Sequence, residues 1–217
     1  MLMIVIPAIN SPDFKTAEKQ IKQAAEFSEW THLDITDGVF SPAQVWGSPK
    51  DLLELGIKNH ELGKLKIELH LMVTNPEGVI NSWLQTGLVK RVIVHLESMT
   101  DSVYVLEKCG KHSAEAMLSI NPGTEVERLL AHKDDFKNFQ ILAVAPGWAG
   151  QKFSAKVLDK IRFIRKQMPN AIIEVDGGIN IETAKLVKEA GANIVISASY
   201  IFGSENPRVA FEELSKL

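Results

Sequence analysis

The chain has 217 residues, 45% of them hydrophobic and 24% charged, the balance of a globular domain long enough to bury a core without staples. Its 24 Lys and Arg against 27 Asp and Glu leave a formal charge of −3, which excludes a broad basic footprint for nucleic acid or an anionic membrane. The single cysteine, Cys109, excludes an intrachain disulfide and suits a reducing, cytoplasmic setting, and no apolar run reaches the ~18 residues needed to cross a bilayer.

Taken in chain order, eight short apolar runs alternate with helix-period segments. The first, at 3–8, belongs to a leading apolar stretch that lacks a basic flank and runs into Pro7, so it reads as a buried strand and not a signal peptide. The others fall at 31–36, 66–73, 91–97, 114–121, 139–146, 171–178 and 194–199. Near-continuous apolar character predicts strands buried on both faces of a parallel sheet. Between them, Phe14, Ala17, Ile21 and Ala24 share one helical face, as do Val157, Ile161 and Ile164. Ser11-Pro12, Ser48-Pro49, Asn75-Pro76 and Asn206-Pro207 each read as an N-cap followed by proline at the first helical position. Gly87, Gly110 and Gly191 read as helix stops. Eight strand–helix repeats without a linker predict one α/β domain over 1–217, a (β/α)8 TIM barrel. An open doubly wound sheet is the alternative, and it loses its main support because no G-x-G-x-x-G follows the first strand.

In such a barrel the chemistry sits where strands end and βα loops begin. Alternate strand residues share a face, so His32, Asp34 and Thr36 point one way and Leu33 and Ile35 the other. The third strand places His70 on the inner face with Glu68 and Met72, and the seventh ends at Asp176. His32, Asp34, His70 and Asp176 thus form an N2O2 set that suits one divalent ion, Zn, Fe, Mn or Co, better than calcium. Singly, each is more often a packed core histidine or a helix N-cap; four polar groups buried together are not so explained, because each would need a charge or hydrogen-bond partner. Gly177-Gly178 after the seventh strand and Ala198-Ser199 after the eighth offer backbone N–H groups to a phosphate. After the sixth, Gly147, Trp148, Ala149 and Gly150 form a loop whose position over the mouth suits a lid with Trp148 as shutter. His95 closes the fourth strand without a pattern that assigns it a role; His60, His112 and His132 fall near helix ends and read as exposed.

Five segments then carry a resemblance. His32-Leu33-Asp34-Ile35-Thr36-Asp37-Gly38-Val39-Phe40, His70-Leu71-Met72-Val73, Asn121-Pro122-Gly123-Thr124, Pro146-Gly147-Trp148-Ala149-Gly150-Gln151-Lys152-Phe153 and Val175-Asp176-Gly177-Gly178-Ile179-Asn180 look like the signature segments of ribulose-phosphate 3-epimerases, in order along the chain. The resemblance implies metal-dependent epimerisation at C3 of a ketose phosphate, D-ribulose 5-phosphate to D-xylulose 5-phosphate. It implies one divalent metal on His32, Asp34, His70 and Asp176, with Asp34 and Asp176 also as the acid–base pair. It implies substrate contacts at His70, Gly147, Trp148, Ala149, Gly150, Gly177, Gly178, Ala198 and Ser199. A small sugar phosphate is the partner implied, with no nucleic acid or membrane, and an oligomer of like chains is usual for such a family. The chain departs from the family at Ala8, where a substrate-touching serine is usual, and at Thr36 and Leu142, at or near which methionines are usual. Val39 and Ala43 replace a histidine and an asparagine, and Ala198 a glycine. These changes spare the four ligands and bear on which ketose phosphate is turned over. Three alternatives follow: an epimerase of a hexulose 6-phosphate, a non-catalytic phosphosugar-binding barrel, and a lyase or decarboxylase. The last wants a lysine at a strand end, and Lys66 begins its strand at the wrong rim.

Overall fold

The apolar runs fold into strands that pair in parallel in the order of the chain: β1 (Ile4–Ile9), β2 (Trp30–Thr36), β3 (Lys66–Met72), β4 (Val89–His95), β5 (Glu115–Ile120), β6 (Asn138–Leu142), β7 (Ile172–Asp176) and β8 (Ile194–Ser197). β1 lies against both β2 and β8, so the sheet closes into a single (β/α)8 barrel, as the repeat pattern predicts. The computed structural model describes residues 3–58, 62 and 64–217; Met1, Leu2 and His60 lie outside the described residues. Around the barrel run α1 (Phe14–Ala25), α2 (Pro49–Lys58), α3 (Pro76–Leu84), α4 (Ser102–Lys111), α5 (Val157–Gln167), α6 (Ile181–Ala190), α7 (Ser199–Phe202) and α8 (Pro207–Ser215). Among the described residues no helix is long and apolar enough to cross a membrane.

The two strand faces do different work. Leu33, Leu69, Leu71, Val92, Val94 and Leu118 point outward and pack with buried helix residues such as Ala17, Ile21, Ile161 and Ile164 into one large core. On one side of the inner face Ile6, Ala8, Ile194 and Ile196 form a small separate cluster, and Met72, Ile93, Met117 and Leu142 add buried apolar side chains elsewhere on it. It also carries His32, Glu68, His70, Arg91, His95, Ser119, Gln140 and Glu174, all buried. Strands buried on both faces are therefore correct, but much of the lumen is polar.

Local chemistry differs from the sequence pattern at five places. α1 is capped by Asp13, whose carboxylate accepts from Thr16 N at 2.9 Å, while Ser11 donates to Gln20 Oε1 instead. Pro12 precedes the cap, so it is not at the first helical position. Ser48, Asn75 and Asn206 do accept from the first turns of α2, α3 and α8. Gly110 lies inside α4, and the left-handed residue beyond that helix is Ser113 at φ 53°. The β5–β6 connection is a 3-10 helix, Val126–His132, and its buried residues Val126 and Leu129 are three apart, the repeat of that helix. The sixth strand ends at Leu142, short of Pro146, and the eighth at Ser197, because Ser199 already begins α7.

Candidate active site

Register brings the first polar cluster together. Asp34 on β2 stands beside His70 on β3, one step above the His32–Glu68 pair. His32 Nε2, Asp34 Oδ1 and His70 Nδ1 form a triangle of sides 3.2, 3.0 and 3.2 Å. Asp176 enters from β7, its Oδ2 at 3.9 Å from His32 Nε2 and 3.6 Å from His70 Nδ1. All four ligand atoms lie within 4.8 Å of one another. A tetrahedron of metal bonds about 2.1 Å long has edges of about 3.4 Å, so the spacing fits one divalent ion.

The partners behind the two imidazoles decide which nitrogen faces the cluster. His95 Nδ1 meets Glu97 Oε2 at 3.3 Å, and its Nε2 meets His70 Nε2 at 2.9 Å. His95 donates from Nδ1–H to the Glu97 carboxylate and so offers a lone pair at Nε2; His70 therefore donates from Nε2 and keeps a lone pair on Nδ1, toward Asp34. On the other side His32 Nδ1 donates to Glu68 Oε1 at 2.7 Å, which turns Nε2 inward. Both histidines are thus held as outer-partner hydrogen-bond donors, the arrangement that orients metal ligands. The sequence pattern put Glu68 on this face without a task; the task of His95 was equally hidden, because it depends on contacts between strands.

Electrostatics separate the two aspartates. Burial acts to raise the Asp34 carboxyl, but the imidazoles beside it, charged His32 first, overcome burial and hold it well below the usual range. Burial pushes Asp176 up to about 7, and the charges of Asp34 and Glu68 add to the effect of burial. Burial also opposes the charge on His32, yet Asp34 and Glu68 raise its pKa well above normal. Pairs of groups driven apart in this way are what acid–base chemistry needs.

Above the cluster opens a cleft. It is lined by Asp34, Asp176, Gly147, Trp148, Ala149, Gly150, Gly177, Gly178, Ala198 and Ser199, so every residue expected to touch substrate faces it except His70, which is buried beneath. Met72 and Leu142 line it too, as does Ala8, whose methyl leaves that position without a hydroxyl. Thr36 is absent from the lining, because its hydroxyl donates to Ala43 O at 2.7 Å. The loop after β6 is stapled internally by Gln151, which donates to Ala145 O and Trp148 O at 2.7 and 2.8 Å. Trp148 stands 55% exposed at the rim. Asn10, which sequence reading passed over, also lines the cleft. Its place two residues beyond Ala8 was the signal that could have found it.

Gly178 is the tightest backbone approach of this rim. Its φ is 67°, and a Cβ there would sit 2.7 Å from Phe153 N and 2.9 Å from Phe153 Cα. Backbone cannot move aside cheaply, so Gly178→Ala is expected to cost at least ~1 kcal/mol in a denaturant melt and to weaken sugar-phosphate binding. A variant that melts and binds like the parent would show that this approach is not needed.

Comparison with known proteins follows the same line. The model of the ribulose-phosphate 3 epimerase family matches residues 4–202. The cytoplasmic isoform of ribulose-phosphate 3-epimerase from Oryza sativa subsp. japonica is 32% identical, over 98% of this chain and 92% of that protein. The ribulose-phosphate 3-epimerase of Methanocaldococcus jannaschii is 31% identical, over 98% and 90%. Among solved structures, 3-hexulose-6-phosphate synthase from Salmonella typhimurium aligns with a TM-score of 0.74 at 14% identity, covering 99% of this chain and 97% of that one. 3-Keto-L-gulonate-6-phosphate decarboxylase from Vibrio cholerae gives 0.74 at 12%, covering 100% and 97%. At such identities the likeness is one of fold.

Proposed function

The chain belongs to the ribulose-phosphate 3-epimerase family, and from that premise we propose that it interconverts D-ribulose 5-phosphate and D-xylulose 5-phosphate by moving the proton at C3. The observation that carries the reading is the convergence of Asp34 and Asp176 on one point from β2 and β7, with opposite tendencies to hold a proton. Counted through β1 and β8, these strands lie three places apart around the barrel, so the carboxyl groups reach a bound sugar from different sides.

The C–H beside a ketone is weakly acidic, and its removal leaves charge that must spread onto oxygen as an enediolate. Ionised Asp34 takes the proton from one face, and protonated Asp176 delivers one to the other. In the reverse direction the roles exchange. His32, Asp34, His70 and Asp176 would hold one divalent cation, Zn, Fe, Mn or Co. When bound, that cation supplies positive charge against the negative charge developing on the substrate oxygens. Backbone N–H groups at Gly177, Gly178, Ala198 and Ser199 fix the phosphate, and the loop of Gly147, Trp148, Ala149 and Gly150 covers the sugar, both setting geometry without moving a proton. His70 acts from beneath, through its ring nitrogen.

The test is turnover of D-ribulose 5-phosphate in D2O, with metal analysis of the same sample and a hexulose 6-phosphate in parallel. Product carrying deuterium at C3 supports the proposal. Tight binding without any C3 exchange would make the chain a binding module, and preference for the hexulose would move the substrate.

Metal binding should release protons. His32 is held in its charged form by Asp34 and Glu68. The cation binds the neutral imidazole, so its affinity falls as pH drops below the raised pKa of His32, by about tenfold per unit for each proton displaced. Calorimetry at pH 6 in two buffers of different ionisation enthalpy should show a net release of at least one proton per metal. Zero release would contradict the assignment of these ligands.

A further inference from the structure

One residue of the cleft takes part in none of the steps above. Asn10 follows β1 directly and faces two polar atoms from distant parts of the chain. Its Nδ2 lies 2.8 Å from Asp34 Oδ2 and 2.7 Å from Gly147 O. Both are pure acceptors, so the amide must present its NH2 group to them, and each of its two N–H bonds is committed. The oxygen it holds is the outer one: Asp34 Oδ1 is turned to His32 and His70, which leaves Oδ2 as the oxygen facing the cleft. Gly147 belongs to the loop after β6 that lines the cleft, and Ser41 Oγ grips the neighbouring carbonyl, Pro146 O, at 3.0 Å. Gly147 itself is at φ 115°, and a Cβ there would collide with Ser41, so the loop backbone at this point is closely confined.

We propose that Asn10 is a positioning residue that clamps the loop after β6 to the outer oxygen of Asp34, so that the substrate-covering loop and the carboxylate keep one mutual geometry. The idea rests on the reading of Asp34 as a proton-transfer group. Asn10 moves no proton; it fixes where the oxygen points and how far the loop stands from it. Near-attack alignment is sensitive to displacements of this kind, and loss of a hydrogen bond to a charged group is worth about 1.5–3 kcal/mol, or roughly ten- to a hundredfold.

Asn10→Leu keeps the forked shape with bulkier tips and removes both donors; Asn10→Ala removes the amide without adding bulk. The expected result for both is a KM for D-ribulose 5-phosphate raised about tenfold, with a smaller fall in kcat and unchanged metal content. Trp148 reports the loop independently, since it stands 55% exposed, and the difference from a Trp148→Phe background isolates its signal. Collisional quenching of Trp148 by acrylamide, measured without substrate, should rise in Asn10→Leu. If quenching is unchanged, or if KM and kcat both stay within twofold of the parent, the clamp is wrong. Thermal melting of Asn10→Leu controls for folding. A parent chain inactive on pentulose phosphates would strike the proposed function, and the quenching comparison would still decide for or against the clamp.

Discussion

Asp34→Asn and Asp176→Asn are each expected to lower turnover by at least ~10²-fold, the scale of lost general acid–base catalysis. The two variants should fail differently, and the difference is the sharper test. Each epimer presents its C3 hydrogen to one side of the cleft. With Asp176 gone, Asp34 can still take the proton from the epimer that faces it and return a deuteron from solvent to the same face. That variant should wash deuterium into one epimer without converting it, and Asp34→Asn should do so with the other. The fold tolerates the change at Asp34: an asparagine oxygen can still accept from Asn10, and its NH2 can donate to the lone pair on His70 Nδ1. Metal content must be measured alongside, because each aspartate also supplies one oxygen of the four-atom cluster. The double variant should be little worse than the worse single one, since the two groups act as a unit. Deuterium washed by one single variant into both epimers would sink the two-carboxylate scheme even if turnover fell as expected.

How much of this was legible in the sequence follows from what each signal depends on. Strand spacing and outward-facing leucines are local, and they predicted the barrel and its helix-side core. The four residues of the polar cluster were also legible, because alternation on β2 and β3 puts His32, Asp34 and His70 on the inner face whatever the partners are. The roles behind them were not. That His95 sets the proton on His70, and that Arg91 reaches Glu68, depends on which strands become neighbours and in what register. The cap at Asp13 was missed for a local reason: a serine before proline is a strong pattern, but the carboxylate two residues on aims at the same first turn. Thr36 illustrates the converse. It alternates correctly with Asp34, yet its hydroxyl is drawn to Ala43 O and never reaches the cleft.

The buried charges beneath the site carry the second large prediction. Glu68 joins two cations, accepting from His32 Nδ1 at 2.7 Å and from Arg91 Nη1 at 2.5 Å. Burial acts to raise its pKa, but His32 and Arg91 bring it down to about 2. Glu174 Oε2 lies 3.7 Å from the same guanidinium, buried and without a hydrogen-bond partner among the described residues, and Gln140 donates to its Oε1 at 3.0 Å. Burial and the nearby charge of Glu68 raise Glu174 well above its normal pKa, so it stays protonated. Glu68→Gln breaks a buried ion pair, which typically costs about 3–5 kcal/mol. The loss should fall near the low end, because Glu174 can ionise beside Arg91 once the competing charge is gone. Metal affinity should drop by about 10–100-fold, since His32 loses the partner that orients it. Glu174→Gln is the contrast, replacing a neutral acid by a neutral amide. An acid whose folded pKa is raised makes the fold lose stability as pH climbs past its unfolded value, near 4.5. The parent should therefore match Glu174→Gln at pH 4 and fall progressively behind it at higher pH in urea melts. If Glu174→Gln instead cost as much as Glu68→Gln at pH 7, Glu174 would have to be ionised in the parent, and Arg91 would be shared between two buried carboxylates and not reserved for one.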